Sequence, residues 1–268
     1  MKSPLKWVGG KSKLAAQITE RIPSHHAYAE VFAGAGWVFF HKRESRVEVL
    51  NDINGELISF YRVLQNHLEE FCRQFKWMLS SREFFENFKK QQEAGGLTDI
   101  QRAVRFYYLQ RHAFGGNVTG RVFGVSKESP PPVNLMRLET ELSEVHFRLS
   151  GVTIENLSWD SFIPRYDSPN AFFYLDPPYY GTEHFYGKDC FNRGEFAKMA
   201  AALQKTEGKF LLSLNDCKEI RNIFSAFNIE ATSTMYCCGR EKTENEKAGE
   251  VFITNYEREP QGLLGLCG

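Results

Sequence analysis

The sequence predicts an α/β fold, a mostly parallel sheet with helices on both faces. Three observations carry that prediction. Short apolar runs alternate with helical periodicity at both ends of the chain. A glycine pair, Gly34 and Gly36, follows the first run where a strand would turn into a helix. An acidic residue, Asp52, closes the next run. Together they describe a Rossmann-like nucleoside-binding sheet.

Taken in order, residues 27–32 read as a strand running into Ala33-Gly34-Ala35-Gly36. Residues 47–50 form a second strand ending at Asn51-Asp52. A helix follows, with Leu57, Ile58, Tyr61, Leu64 and Leu68 on one face. Further strands are expected at 152–154, 171–175 and 210–214. Two helices flank the last of these, one lined by Phe196, Met199, Ala200 and Leu203, the other by Ile220, Ile223, Phe224 and Phe227. Asn192, three residues before Glu195, gives the first a capping-box-like start. Two more strands, 229–236 and 251–256, enclose a polar loop at 239–249.

Residues 67–149 break the alternation. They carry helical patterns (Phe71, Phe75, Met78, then Val104, Tyr107, Tyr108, Arg111) and end in Pro130-Pro131-Pro132. They read as an inserted helical subdomain. The α/β domain is then discontinuous, 1–66 and 150–258, with 259–268 as a tail.

Composition bounds the function without naming it. At 268 residues one large domain or two small ones are expected. The 42% hydrophobic and 25% charged fractions are those of a globular protein and exclude disorder and coiled coils. The 23 phenylalanines suggest a Phe-rich core. With 33 basic and 33 acidic side chains, the average charge gives no hint of a nucleic-acid partner. The first residues lack the apolar region of a signal peptide and no apolar run reaches the length of a membrane span, so a cytoplasmic location is expected. The six cysteines include no C-x-x-C pair, which points to reduced thiols and to no metal.

Several motifs point to a nucleoside site. Position 39 is Phe, so the third glycine of G-x-G-x-x-G is missing. That favours a nucleoside ligand over a pyrophosphate-bearing dinucleotide. Gly10-Lys11-Ser12 is not a P-loop, because position 5 is Leu and no strand precedes it. The flanking lysines and Trp7 of residues 6–11 suit a ligand lid. The strongest element is Asp176-Pro177-Pro178-Tyr179, directly after the strand at 171–175. Two prolines stiffen the turn and present carbonyl oxygens without competing N–H donors. An acidic acceptor, outward carbonyls and an aromatic face form a cradle for a planar amine.

These residues resemble, in order, the motifs of the Dam-type DNA adenine-N6 methyltransferases, which depend on S-adenosylmethionine. Residues 4–11 resemble the K-W-x-G-G-K motif, 30–36 the F-x-G-x-G motif, 51–54 the D-I-N motif and 176–179 the D-P-P-Y motif. The similarity spans nearly the whole chain and suggests a phage- or prophage-like member. It implies a methyltransferase sheet with a helical target-recognition subdomain at 67–149, double-stranded DNA as partner, and no obligate protein partner. It also implies that Trp7, Lys11, Asp52 and Asp176 line the cofactor pocket with Phe32, Gly34 and Gly36, and that Asp160 lies near the cofactor's adenine.

Asp176 and the Pro177 carbonyl would then accept the two N–H bonds of the target amine while Tyr179 stacks on a flipped base. The same cradle suits cytosine N4 or RNA, and a catalytically inactive DNA-binding relative would keep the fold. No Pro-Cys dipeptide exists for a cysteine-dependent C5 route, and no P-C-x-x-C for a zinc deaminase.

Charge resolved along the chain changes its meaning. Between residues 101 and 127 lie Arg102, Arg105, Arg111, Arg121 and Lys127, with no Asp or Glu. Aromatics and glycines are interleaved, as phosphate contact and base-pair invasion require. Arg111, Asn117, Thr119, Arg121 and Lys127 are the expected DNA contacts. Residues 115–121 depart from the family's Asn-Gly-Leu-x-Arg type of segment, so a GATC site is not carried over.

Overall fold

The computed structural model describes residues 1–124, 128, 130–182, 191–232 and 249–257. Seven strands form one sheet in these residues: β1 (Ala27–Glu30), β2 (Val47–Asn51), β3 (Thr153–Glu155), β4 (Ala171–Leu175), β5 (Lys209–Asn215), β6 (Asn228–Ala231) and β7 (Glu250–Thr254). Their order is β3-β2-β1-β4-β5-β7-β6. The first five in that order pair in parallel, and β7 runs antiparallel to both β5 and β6. The expected α/β class and the expected strands are present. The two at the end are shorter than 229–236 and 251–256; residues 233–248 lie outside the described set, as does the tail beyond 257.

Strand alternation assigns side chains to two cores. On β4, Phe172 and Tyr174 face one side of the sheet; Ala171, Phe173 and Leu175 face the other. The first side is covered by α1 (Ala15–Thr19), α2 (Trp37–His41), α3 (Gly55–Asn66), α4 (Leu68–Phe75), α5 (Arg82–Ala94), α6 (Asp99–His112) and α7 (Leu135–Leu149). The second is covered by α8 (Trp159–Tyr166), α9 (Arg193–Leu203) and α10 (Lys218–Ile223).

Residues 67–149 are helical as expected, but they do not enclose a separate core. Phe71, Phe75, Phe106 and Tyr107 join Tyr28 and Phe172 in one apolar cluster. Phe60 of α3 stacks on Tyr107 of α6 at 5.4 Å between ring centroids. The Phe-rich core is borne out here.

Local chemistry sets the helix starts. Asn54 Oδ1 accepts from the Glu56 and Leu57 amides at the start of α3, and Thr98 with Gln101 closes a capping box on α6. At α9 the expected box is only half made. Asn192 caps the Gly194 amide, while Glu195 turns to Trp159 Nε1 (3.1 Å) and Lys198. The indole outcompetes the helix's own backbone for that carboxylate.

Candidate active site

β1 and β4 lie side by side, yet the chain leaves them in opposite directions across the sheet. Their carboxyl ends open a crevice at this switch point, where open α/β sheets bind ligands. A cavity of about 160 Å³, open at its mouth, occupies it. Of the residues expected to hold a cofactor, Trp7, Lys11, Phe32, Gly34, Gly36, Asp52 and Asp176 line this cavity.

Each reaches it for a local reason. Gly36 adopts φ +64° at the start of α2, and a Cβ there would press on Phe40 at 3.0 Å. Gly34 (φ +47°) lets the Trp7 indole approach; an added Cβ would lie 3.1 Å from its Nε1. The Asp52 carboxylate accepts from the Gly34 amide through Oδ2 and from the Asn54 amide through Oδ1, both at 2.9 Å. Burial pushes its pKa up and those amides pull it back. The glycine turn and the acidic strand end are thus one hydrogen-bonded unit.

Asp160 does not join them. It is exposed in the first turn of α8 and lines a separate depression with Trp159, Ile163, Pro164 and Lys198. The expected place beside the cofactor's adenine is corrected. The connection after β3 meets the site through Asn156, whose Nδ2 donates to the Asp52 carbonyl (2.7 Å), and through Leu157, whose amide donates to Asn51 Oδ1.

Asp176 stands at the end of β4. Its Oδ1 accepts from Ser213 Oγ of β5 (2.9 Å) and lies 2.7 Å from Lys11 Nζ. Burial raises its pKa, opposed by the Lys11 ammonium and the Ser213 hydroxyl. Pro178 lines the cavity and Pro177 is buried behind it. Tyr179 is half-buried; its hydroxyl donates to Glu250, and Lys11 Nζ lies 4.6 Å from its ring centroid. Of the three residues expected to be catalytic, Asp176 lines the cavity, while Pro177 and Tyr179 follow it in the turn and do not.

The N-terminal strap carrying Trp7 and Lys11 is tied to the helical segment. Gln110 Nε2 donates to the carbonyls of Lys6 and Gly116, each at 2.7 Å, and the Val8 amide donates to the Gly116 carbonyl at 3.1 Å. A second depression, shared by Trp7, Gly10 and Trp37 with the first, continues along Arg111, Phe114, Gly116 and Pro130 to Pro132.

The basic stretch is more internal than its sequence suggested. Arg102 and Arg105 both pair with Glu56 (2.5 and 2.6 Å). Arg111 donates to the carbonyls of Pro4 and Pro132. Arg121 is 6% exposed, bonds Gln110 Oε1 at 3.1 Å and faces the Phe106 ring; burial lowers its pKa to about 10. The expectation that Arg121 contacts DNA is corrected: the loop folds back and turns it inward, whereas Arg111, in the last turn of α6, is half-buried and lines the second depression. Asn117 is half-buried and Thr119 exposed on that loop. Lys127 lies outside the described residues.

Three site residues escaped the sequence reading. Glu30 ends β1 at 1% exposure, lines the cavity and accepts from the Tyr28 hydroxyl (2.6 Å); burial pushes its pKa up to about 8. Ser213 and Glu250 complete the set. For Glu30 and Ser213 the available signal was a polar residue in an otherwise apolar strand.

A glycine turn joined to an acidic strand end and an acidic cradle at the switch point define an α/β enzyme acting on a planar amine with a nucleoside-bearing cofactor. A profile of the D12 class N6 adenine-specific DNA methyltransferases matches residues 7–237, and the chain belongs to that family. It is 26% identical to the type II methyltransferase M.CviBI of Paramecium bursaria Chlorella virus NC1A over 85% of this chain and 88% of that one. It is 26% identical to the type II methyltransferase M.MjaIII of Methanocaldococcus jannaschii over 94% and 98%. It is 30% identical to the DNA adenine methylase of Escherichia coli K12 over 65% and 64%. The protein is an adenine-specific DNA methyltransferase, and S-adenosylmethionine is the cofactor its family implies. Among the described residues, no helix is long and apolar enough to cross a membrane, and no group of three or more His, Cys, Asp or Glu side chains is arranged to hold a metal.

Proposed function

We propose that the protein methylates N6 of an adenine rotated out of double-stranded DNA, by direct transfer from S-adenosylmethionine. The observation that carries this reading is the position of Asp176. Its carboxylate is held by Ser213 and Lys11 at the rim of the cavity that Asp52 and the glycine turn close on the other side.

The cavity's residues fit the cofactor. Asp52 has the acceptor chemistry for ribose hydroxyls, Gly34 and Gly36 leave room for close approach, and Trp7 and Phe32 offer apolar faces. When bound, S-adenosylmethionine supplies an electrophilic methyl group. The protein's task is to make a poor nucleophile competent. Adenine N6 shares its lone pair with the ring; Asp176 and the Pro177 carbonyl, accepting its N–H bonds, favour the pyramidal amine and stabilise the charge that develops on it. Tyr179 stacks on the extruded base and offsets part of the unstacking cost. No covalent nucleophile is required.

In this reading residues 1–66 and 150–258 form the catalytic part, and 67–149 the part that reads DNA, with Arg111, Asn117, Thr119 and Lys127 as contacts. Arg121 shapes the loop from beneath. Relatives in a Chlorella virus and in retron Ec67 of Escherichia coli support a phage-like setting. A DNA substrate supports a cytoplasmic location.

Single-molecule sequencing of DNA from cells expressing the protein fixes its site. 2-Aminopurine placed at the target adenine then gains fluorescence when the complex forms. A complex with no gain contradicts base extrusion.

A further inference from the structure

Glu250 opens β7 at 3% exposure, in register with Asn215 at the end of β5. These two residues grip the chain just past Asp176-Pro177-Pro178. Asn215 exchanges hydrogen bonds with the backbone of Tyr180: its Oδ1 accepts from the amide at 2.9 Å and its Nδ2 donates to the carbonyl at 3.1 Å. Glu250 Oε1 accepts the hydroxyl of Tyr179 and lies 4.0 Å from Lys11 Nζ. Its other oxygen, Oε2, is buried with no hydrogen-bond partner among the described residues.

A buried carboxylate this poorly supplied with donors is costly for the fold. Burial raises the pKa of Glu250, opposed by Lys11 and Tyr179, and neighbouring Asp176 raises it further. An apolar side chain would serve β7 packing better. The group with something to gain is Tyr179. Its ring is held at the hydroxyl by Glu250 and has the Lys11 ammonium near its centroid, so neither rotation about the ring bond nor withdrawal from the cradle is free. A ring already fixed in a stacking pose loses less conformational entropy when a base arrives.

We propose that Glu250 is a positioning residue: by accepting the Tyr179 hydroxyl from an adjoining strand, it fixes the aromatic face on which the extruded adenine stacks. This rests on the stacking role of Tyr179 proposed above, and the experiment separates the two. Tyr179→Phe keeps the ring and removes the donor; Glu250→Ala removes the acceptor; Glu250→Gln keeps an acceptor oxygen.

Methyl transfer to unmethylated genomic DNA, cofactor affinity and the urea midpoint are measured for each variant, for the Tyr179→Phe/Glu250→Ala double variant and for Tyr179→Ala. Tyr179→Phe and Glu250→Ala each lower kcat/KM for DNA about tenfold, the scale of one hydrogen bond to a charged group, with cofactor Kd unchanged. The double variant is no worse than either single, and Glu250→Gln recovers most of the loss. Tyr179→Phe, which preserves the ring packing, decides the matter even if Glu250→Ala fails to fold: wild-type kcat/KM overturns the proposal. Losses that multiply in the double variant, or a Glu250→Ala loss that appears equally in cofactor Kd, overturn it too. If Tyr179→Ala is no worse than Tyr179→Phe, the stacking role falls instead.

Discussion

Lys11 Nζ lies 2.7 Å from Asp176 Oδ1, although the two residues reach each other from the N-terminal strap and the end of β4. The ammonium favours the ionised form of a carboxyl that burial pushes the other way.

Lys11→Ala therefore raises the Asp176 pKa further. The charged acceptor is present above its pKa, so the acid limb of the kcat/KM profile moves to higher pH. Rates of methyl transfer across pH, wild type against variant, check this; an unmoved acid limb contradicts it.

Glu30 ends a buried strand with its pKa raised to about 8. Its folded pKa exceeds its unfolded value near 4.5, so the folded state holds the extra proton. Its contribution is most favourable below the unfolded pKa and is lost as pH rises through the folded one. Glu30→Gln removes that loss. The urea midpoint of the variant falls less than that of the wild type between pH 5 and 9, and parallel curves contradict the assignment.

Glu48 shows the opposite sign. Burial would raise its pKa, but hydrogen bonds from Arg148 and Lys42 outweigh burial and hold the carboxyl below its usual value. Stability from this group is present above the unfolded pKa and lost as pH falls through the folded one. Arg148→Met leaves the buried Glu48 carboxylate on β2 with Lys42 as its remaining cation and costs about 1.5–3 kcal/mol at pH 7. Chemical unfolding at pH 7 measures it, and a change below 1 kcal/mol contradicts a buried network.

Gly116 couples the loop after α6 to the N-terminal strap that lines the cavity. At φ +70° it lies against the strap, and a Cβ would meet the Trp7 amide nitrogen at 2.9 Å. Gly116→Ala must displace Trp7, so cofactor affinity drops about tenfold or more, as backbone strain of 1–3 kcal/mol implies. Isothermal titration with S-adenosylmethionine tests this, and unchanged affinity contradicts the coupling.

The parts of this molecule that were legible in its sequence are those written in contiguous residues. The glycine turn at 34–36, Asp52 after β2 and the Asp176 turn after β4 each combine a strand end with its own loop, so their shared edge followed once the sheet was recognised. What was not legible depends on folding back in three dimensions. Asp160 follows β3, but α8 begins between them and its first turn points away from the crevice. Arg121 looked like a loop charge, yet the bridge between Ala113 and Phe123 closes the loop and sends its guanidinium to Gln110. Glu250 gave no sign of the active site because its partner, Tyr179, lies two strands away in sequence.

The inward turn of Arg121 also changes what its removal does. Arg121→Ala lowers the urea midpoint, while the slope of log binding constant against log salt is unchanged. An arginine held on a phosphate would reduce that slope by about one, and that reduction would contradict the placement.

In the proposed mechanism methyl transfer depends most directly on Asp176. The direct measurement is single-turnover methyl transfer to DNA by Asp176→Ala at saturating cofactor, alongside DNA affinity by gel shift. N6-methyladenine formation falls at least a hundredfold, as for loss of a preorganised electrostatic contact, while DNA affinity stays within about threefold of wild type. Near-wild-type turnover by that variant would contradict the cradle.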